Sequence, residues 1–190
     1  MAGEAKAVAR WMQLIRERFK EVGLELCAEK CIIILSTKGG GKDDKALFPG
    51  MIWNDDGNFK LLGAAFSSKK FCTDLLRKRA AKAEQIMKHI GLLEDAQTAM
   101  LLLRHCAGYC KVTYSTRTVP TGLQRAALEE YSEQMRQALQ NILQLHLDER
   151  GWAQAQLSIK EGGLGMRDPG KHAPAAYFAS TQGTRAQCCG

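Results

Sequence analysis

The stretch Gly23-Leu24-Glu25-Leu26-Cys27-Ala28-Glu29-Lys30-Cys31-Ile32-Ile33-Ile34-Leu35 decides how the first third of this chain is read. Gly23 closes an amphipathic run, because only glycine takes the left-handed conformation past a helix end at no steric cost. Leu24 and Leu26 alternate with Glu25, the period of a half-buried strand. Ile32 to Ile34 carry no polar side chain, so the pattern predicts a strand buried on both faces. Lys30 then stands at the mouth of a small sheet, near its edge. Rigid support there suits a working lysine, and it suits a solvated one equally.

Upstream, Val8, Trp11, Met12, Ile15, Phe19 and Val22 recur at helical spacing with charges between them, which predicts a helix over 4–22. Downstream, Ser36 to Lys45 reads as a polar loop. Its three glycines before Lys42 suggest a phosphate cradle, but that motif needs Ser or Thr after the lysine, at a helix start. Here Asp43 and Asp44 follow, and both would repel phosphate. Trp53-Asn54-Asp55-Asp56-Gly57 offers paired carboxylates of the kind that hold two magnesium ions. Asp-Gly is also the ordinary sequence of a hairpin turn, and the turn reading prevails. Phe59 to Phe66 reads as a strand with Gly63 inside it, the sign of a bulge or of close approach by another backbone.

From Ser67 onward the chain reads as helical. Leu76, Ala80, Ala83, Met87 and Ile90 form one core-facing stripe. Lys70, Arg77 and Lys88 fall roughly opposite, with Lys78 and Lys82 beside them. Across 67–92, Lys69, Lys70, Arg77, Lys78, Arg79, Lys82 and Lys88 face only Asp74 and Glu84, seven minus two or +5. This is either a solvated helix face or a surface for phosphates. A second helix is expected over 94–110. Arg104, Lys111 and Arg117 bracket Tyr109 and Tyr114, a mixture that suits a nucleic-acid strand and also suits an ordinary helix pair. Pro120 is placed for the first turn of a long helix over 121–148, packed through Leu128, Tyr131, Met135, Leu139 and Ile142. Gly151 and Trp152 open a short amphipathic piece, Gly162 to Gly165 make a tight turn, and 171–180 forms a small-residue helix. A polar tail, 181–190, is expected to be disordered.

The 190 residues are 45% hydrophobic and 25% charged, values of a globular chain of one domain or two small ones. No apolar run approaches the roughly 18 residues of a membrane span. The N-terminus lacks a secretion pattern, so an intracellular location, nuclear or cytoplasmic, is expected. A net charge of +7 favours a polyanionic partner. Among seven cysteines, Cys27 with Cys31 and Cys106 with Cys110 beside His105 invite a zinc reading. Cys31 heads an apolar strand and Cys106 lies in an apolar helix, so reduced, buried cysteines and no metal site are expected.

A helix followed by Gly23-Leu24, then Lys30 and an apolar strand, resembles the palm segment of reverse transcriptases of non-LTR retrotransposons; Cys27 stands where that family has asparagine. Three further blocks match in family order. One is Asn58-Phe59-x-Leu61-Leu62-Gly63. The next runs from Asp95 and Gln97 through Leu102-Leu103-Arg104, Cys106-Ala107-Gly108, Lys111, Tyr114 and Arg117-Thr118 to Pro120. The last runs from Trp152 through Gly162-Gly163-Leu164-Gly165 and His172-Ala173 to Ala175-Ala176-Tyr177. Together they cover about 4–180.

The resemblance implies an α+β, predominantly α-helical chain. Residues 1–66 would be a partial palm with a small sheet and the primer-holding hairpin, and 67–180 a thumb-like helical bundle. It assigns Lys30 as the catalytic acid for departing pyrophosphate, and Leu62 and Gly63 as the primer-holding tip. It gives Lys69, Lys70, Arg77, Lys78, Lys82, Lys88, Arg104, Lys111 and Arg117 to nucleic-acid phosphates. The intact family enzyme uses magnesium held by paired aspartates that precede the helix at 4–22. The chain from Met1 begins after that point, so this RNA-directed DNA polymerase-like fragment is expected to need no cofactor and to be inactive alone. The expected partner is a primer-template, hybrid or duplex, with self-association or a palm supplied by another chain as further options. Two alternatives remain open: a non-enzymatic basic helical nucleic-acid-binding module, and a helical protein-interaction remnant.

Overall fold

A computed structural model describes residues 3–34 and 42–188, and side chains for all of these except 42, 43, 186 and 188. Of the polar loop read over 36–45, residues 36–41 lie outside them, as do Leu35 and Cys189, and the rest belongs to a 3-10 helix, Lys42–Leu47. The fold is predominantly α-helical with two small sheets, an α+β architecture. It divides into two units, Met1–Phe59 and Lys60–Gly190.

In the first unit, the apolar spacing yields helix α1, Ala5–Glu21, with Gly23 beyond it in the left-handed region at φ +75°. Leu24 to Leu26 form no strand; they lead into a 3-10 turn, Ala28–Lys30. Strand β1, Ile32–Ile34, pairs in parallel with β2, Ile52–Asn54, in the register Ile32 to Ile52 and Ile34 to Asn54. The expectation that β1 is buried on both faces is wrong. Ile32 and Ile52 are each 52% exposed. A two-stranded sheet cannot cover itself, and β2 is the only sheet partner of β1 among the described residues. Burial in this unit falls instead on Met12 and on Phe48, whose ring meets Trp53 edge-on at 6.0 Å. Asp55 and Asp56 occupy an exposed turn completed by Gly57 at φ +65°. Asn54 Nδ2 donates across it to the Asn58 carbonyl at 2.6 Å. The turn does not make a hairpin, because β2 pairs with β1 alone.

The stretch read as one interrupted strand is two: β3, Phe59–Leu61, and β4, Ala64–Phe66. Leu62 and Gly63 form the two-residue connection, with φ of +47° and +90°. Positive φ at both central residues is the signature of the turn that matches strand twist. The two compact units divide after Phe59, the first residue of β3, so the rest of the hairpin belongs to the helical unit.

Helix α2, Lys69–Ile90, starts where Ser68 Oγ accepts the Phe71 N–H at 3.3 Å, a side-chain cap on an otherwise orphaned donor. Its expected stripe, Leu76, Ala80, Ala83, Met87 and Ile90, is buried throughout. Helix α5, Thr121–Leu143, buries Leu128, Tyr131, Met135, Leu139 and Ile142, also as expected, against the same core. It ends before residue 148, at Gln144 in the left-handed region.

Between them the single helix read over 94–110 is broken. Helix α3, Ala96–Leu102, is capped by Asp95 and passes into a π-helical turn, Leu103–Ala107. Gly108, a 3-10 turn at Tyr109–Lys111 and helix α4, Thr113–Thr118, follow. The carbonyls freed at the break share the buried Tyr131 hydroxyl, 2.5 Å from the Ala107 oxygen and 3.1 Å from that of Gly108. Helix α6, Glu149–Gln156, and helix α7, Pro169–Cys188, complete the unit. Ser132 Oγ on α5 donates to Asp168 Oδ2 at 2.8 Å, fixing the entry to α7. Helix α7 continues past Ser180, so the tail expected to be disordered is helical through Cys188. Its Thr, Gln, Ala and Arg residues include no proline, and its one glycine, Gly183, is tolerated within the helix.

The cysteines also differ from expectation. Cys72 is buried, whereas Cys27, Cys106 and Cys110 are exposed, and all five described here are free thiols. In the π turn, Leu103 and Ala107 take the core positions and turn Cys106 outward.

Replacing Tyr131 by Phe should cost about 1–3 kcal/mol in urea unfolding, because a buried carbonyl loses its donor. Burial also holds the Tyr131 phenol well above its ordinary range. A group raised on folding stabilises fully below its unfolded pKa and loses that contribution as pH climbs through the folded one. Stability of the parent should therefore fall as pH rises past about 10, and Tyr131→Phe should flatten that fall.

Candidate nucleic-acid interface

Phase on α2 decides what each cation can do. At about 100° per residue, Lys70, Lys78 and Lys82 lie more than about 110° from the centre of the buried stripe, while Arg79 lies within about 60° of it. The first three are exposed, as is Lys69 in the first turn, and none of the four has an ion-pair partner among the described residues.

Arg77 is engaged. Its Nε and Nη2 reach the two carboxylate oxygens of Glu130 on α5 at 2.8 and 2.5 Å, a bidentate fork, and Asp74 lies 3.8 Å from Nη1. The fork holds the Glu130 carboxyl below its usual range and raises the Arg77 guanidinium. Lys88 pairs with Glu84 one turn back at 2.8 Å. Both pairs are solvent-exposed, so they contribute little to stability, but they neutralise two of the cations expected to face phosphates.

Arg79 serves the fold. Its guanidinium donates to the Gly63 carbonyl and to Ser115 Oγ, and lies 5.6 Å from the centre of the Tyr114 ring. Tyr114 in turn donates from its hydroxyl to the Leu62 carbonyl at 2.6 Å. The hairpin tip is thus clamped from α2 and α4 together, and it presents Leu62, 90% exposed, to solvent. At Gly63 a Cβ would meet the Tyr114 ring at 3.4 Å with φ at +90°, so both backbone and space favour glycine there.

The tyrosines expected to pack against a strand are committed elsewhere. Tyr109 shares a 3.1 Å hydrogen bond with Thr116 and packs on His172, while Tyr114 holds the hairpin. Lys111 and Arg117 are exposed and unpaired among the described residues. Arg104 is half-buried, away from the α2 lysines in chain order, beside Gly165.

In the first unit, Lys30 ends the 3-10 turn two residues before β1 and is exposed. Asp55 sits 3.8 Å from Lys45. Among the described residues no three His, Cys, Asp or Glu side chains gather in a metal-binding arrangement. No helix among them is long and apolar enough to cross a membrane. Comparison with protein-family models, curated proteins and solved structures finds no match to this chain.

Sequence reasoning counted Arg79 with the surface charges, although its phase near the stripe signals an inward role. The Arg77–Glu130 fork joins residues 53 apart and had no local signal.

Arg79→Lys should loosen the hairpin, because an ammonium cannot donate in two fixed directions while stacked on a ring. Amide hydrogen exchange at 60–66 should rise several-fold, with no comparable change in the Leu76 to Ile90 stripe. Equal acceleration in both places would indicate general unfolding instead.

Proposed function

We propose that the second unit binds the phosphate backbone of a nucleic-acid duplex or hybrid, without reading bases, as the thumb-like part of a non-LTR reverse transcriptase-like chain. The observation that carries this is the outer face of α2, where Lys70, Lys78 and Lys82 are exposed and unpaired among the described residues. Lysines that neutralise phosphates release counterions and supply most of the affinity of non-specific binding. Three free ammonium groups on one face of a rigid helix fit that task. The buried stripe on the opposite side holds the helix to α5, so the lysines are presented on fixed support.

Two features support the reverse transcriptase part of the reading. One is the order of the motif blocks. The other is the hairpin with Leu62 and Gly63 at its tip directly before α2, the order the resemblance implies. On this reading Leu62 and Gly63 meet the primer end, Lys111 and Arg117 add further phosphate contacts, and Lys30 keeps the family's lysine position. Any magnesium-dependent chemistry would come from family carboxylates that the motif blocks do not include.

Binding to a hybrid should fall steeply with salt. Lys70→Ala, Lys78→Ala and Lys82→Ala together should weaken binding to all sequences alike and flatten the log–log salt slope by roughly two to three units, nearly one per lost phosphate contact. Arg77→Ala, by contrast, should change the slope little. A triple variant that binds as the parent does, with the same slope, would leave α2 a solvated face only.

A further inference from the structure

The π turn that interrupts the helix after α3 carries Arg104 and His105 to one side of a cavity of about 260 Å³. Arg167 enters from the segment before α7, and Tyr109, Thr113 and Gly165 complete most of the wall. No carboxylate lines it. Among the described residues, Arg104, His105 and Arg167 make no ion pair. That sets the two arginines apart from Arg77, which is forked onto Glu130, from Arg136, which pairs with Glu149, and from Arg79, which is bonded to the hairpin.

Arg104 also lies against the Gly165 backbone. A Cβ at Gly165 would lie 2.9 Å from its Cζ, 3.0 Å from Nε and 3.1 Å from Nη2. The guanidinium therefore packs beside Gly165 where it lines the cavity. Gly165 sits at φ +69°, a backbone conformation that favours glycine, whereas the Arg104 side chain could swing aside from a Cβ there. Elsewhere Tyr109 is bonded to Thr116 and meets the His172 ring at a tilt, and Thr113 Oγ1 donates to the Tyr109 carbonyl. The free polar groups are therefore the two guanidinium groups, the imidazole and the weakly donating Cys110 thiol.

We propose that this cavity is a binding site for a phosphate group. Cationic side chains from two separated segments converge with nothing to neutralise them, which is unfavourable unless an anion occupies the space. A carboxylate offers two oxygens in one plane and satisfies a single fork. A phosphate monoester has three terminal oxygens and carries about −1.5 to −2 at neutral pH, so it can satisfy two forks at once. Local departures from α-helical hydrogen bonding of this kind are often found at functional sites, and here the π turn is what displays Arg104 and His105 beside the cavity. The site stands whether or not α2 binds duplex, because none of the α2 lysines lines it.

The test is calorimetric titration of the full chain with inorganic phosphate at neutral pH and constant low chloride. Saturable one-site binding is expected, weakened about tenfold or more in Arg167→Gln and in Arg104→Gln, in line with loss of a charge-assisted contact. Arg167 is exposed, so its replacement should leave the far-ultraviolet circular dichroism and thermal midpoint unchanged. The Lys70, Lys78 and Lys82 triple variant should bind phosphate as the parent does, which separates failure here from failure of the duplex reading. Adenosine 5′-monophosphate, and one oligonucleotide with a 5′-phosphate or a 5′-hydroxyl, identify the source. A preference for the phosphorylated end that Arg167→Gln abolishes assigns the site to a nucleic-acid terminus. Equal binding of the two oligonucleotides, with saturation by phosphate and the mononucleotide, assigns it to a small phosphate. No saturable binding of any of these, acetate binding as tightly as phosphate, or phosphate binding unchanged in Arg167→Gln would overturn the proposal.

Discussion

The contact between α2 and α5 is the constraint on which the second unit depends. Leu76, Ala80, Ala83 and Met87 on one helix share a buried core with Leu128, Tyr131, Met135 and Leu139 on the other. Alanines at 80 and 83 keep the α2 stripe low, so larger side chains of α5 fill the space between the helices at native packing density. Once α5 is fixed, its polar positions organise the rest. Tyr131 holds the carbonyls at the end of the π turn, Ser132 fixes Asp168 at the start of α7, and Gln124 donates to the Ser115 and Val119 carbonyls at the end of α4, both at 2.9 Å. Arg136 ties α6 by pairing with Glu149 at 2.6 Å.

That packing also sorts the charges. An amphipathic helix held on one side has three positions for a cation: near the stripe, at its flank, and opposite it. Arg79 lies near the stripe and is drawn into the hairpin clamp. Arg77 lies at the flank and reaches Glu130 on the neighbouring helix. Lys70, Lys78 and Lys82 lie opposite and meet only solvent. A count of charge on the helix treats all of these alike, and the geometry does not.

The parts legible in the sequence are those fixed by local period. Helix α1 and the buried stripes of α2 and α5 follow from helical spacing, and Gly23 and Gly57 mark turns at positive φ, whereas Gly63 reads as a bulge and is instead a hairpin tip. The parts that were not legible depend on what a segment meets. Ile32 to Ile34 have the composition of a buried strand, but burial needs a covering layer, and β1 has one partner strand. The break at Leu103–Ala107 follows from a hydroxyl contributed by α5, twenty-four residues away from Ala107. The cavity brings Arg104 together with Arg167 from beyond α6, a pairing that no spacing rule contains. An apolar helix around Cys106 predicts a buried cysteine, but the π turn gives the core positions to Leu103 and Ala107 and leaves Cys106 exposed.

The central claim is that the face of α2 opposite its packed stripe meets nucleic-acid phosphates, and lysine acylation of the full chain reads this directly. Modification would be quantified residue by residue with and without a saturating RNA–DNA hybrid at low salt. The account predicts protection of Lys70, Lys78 and Lys82, little change at Lys88 beside Glu84, and none at Lys6 and Lys20 in α1. Uniform modification with and without hybrid, or protection confined to the α1 lysines, would contradict it.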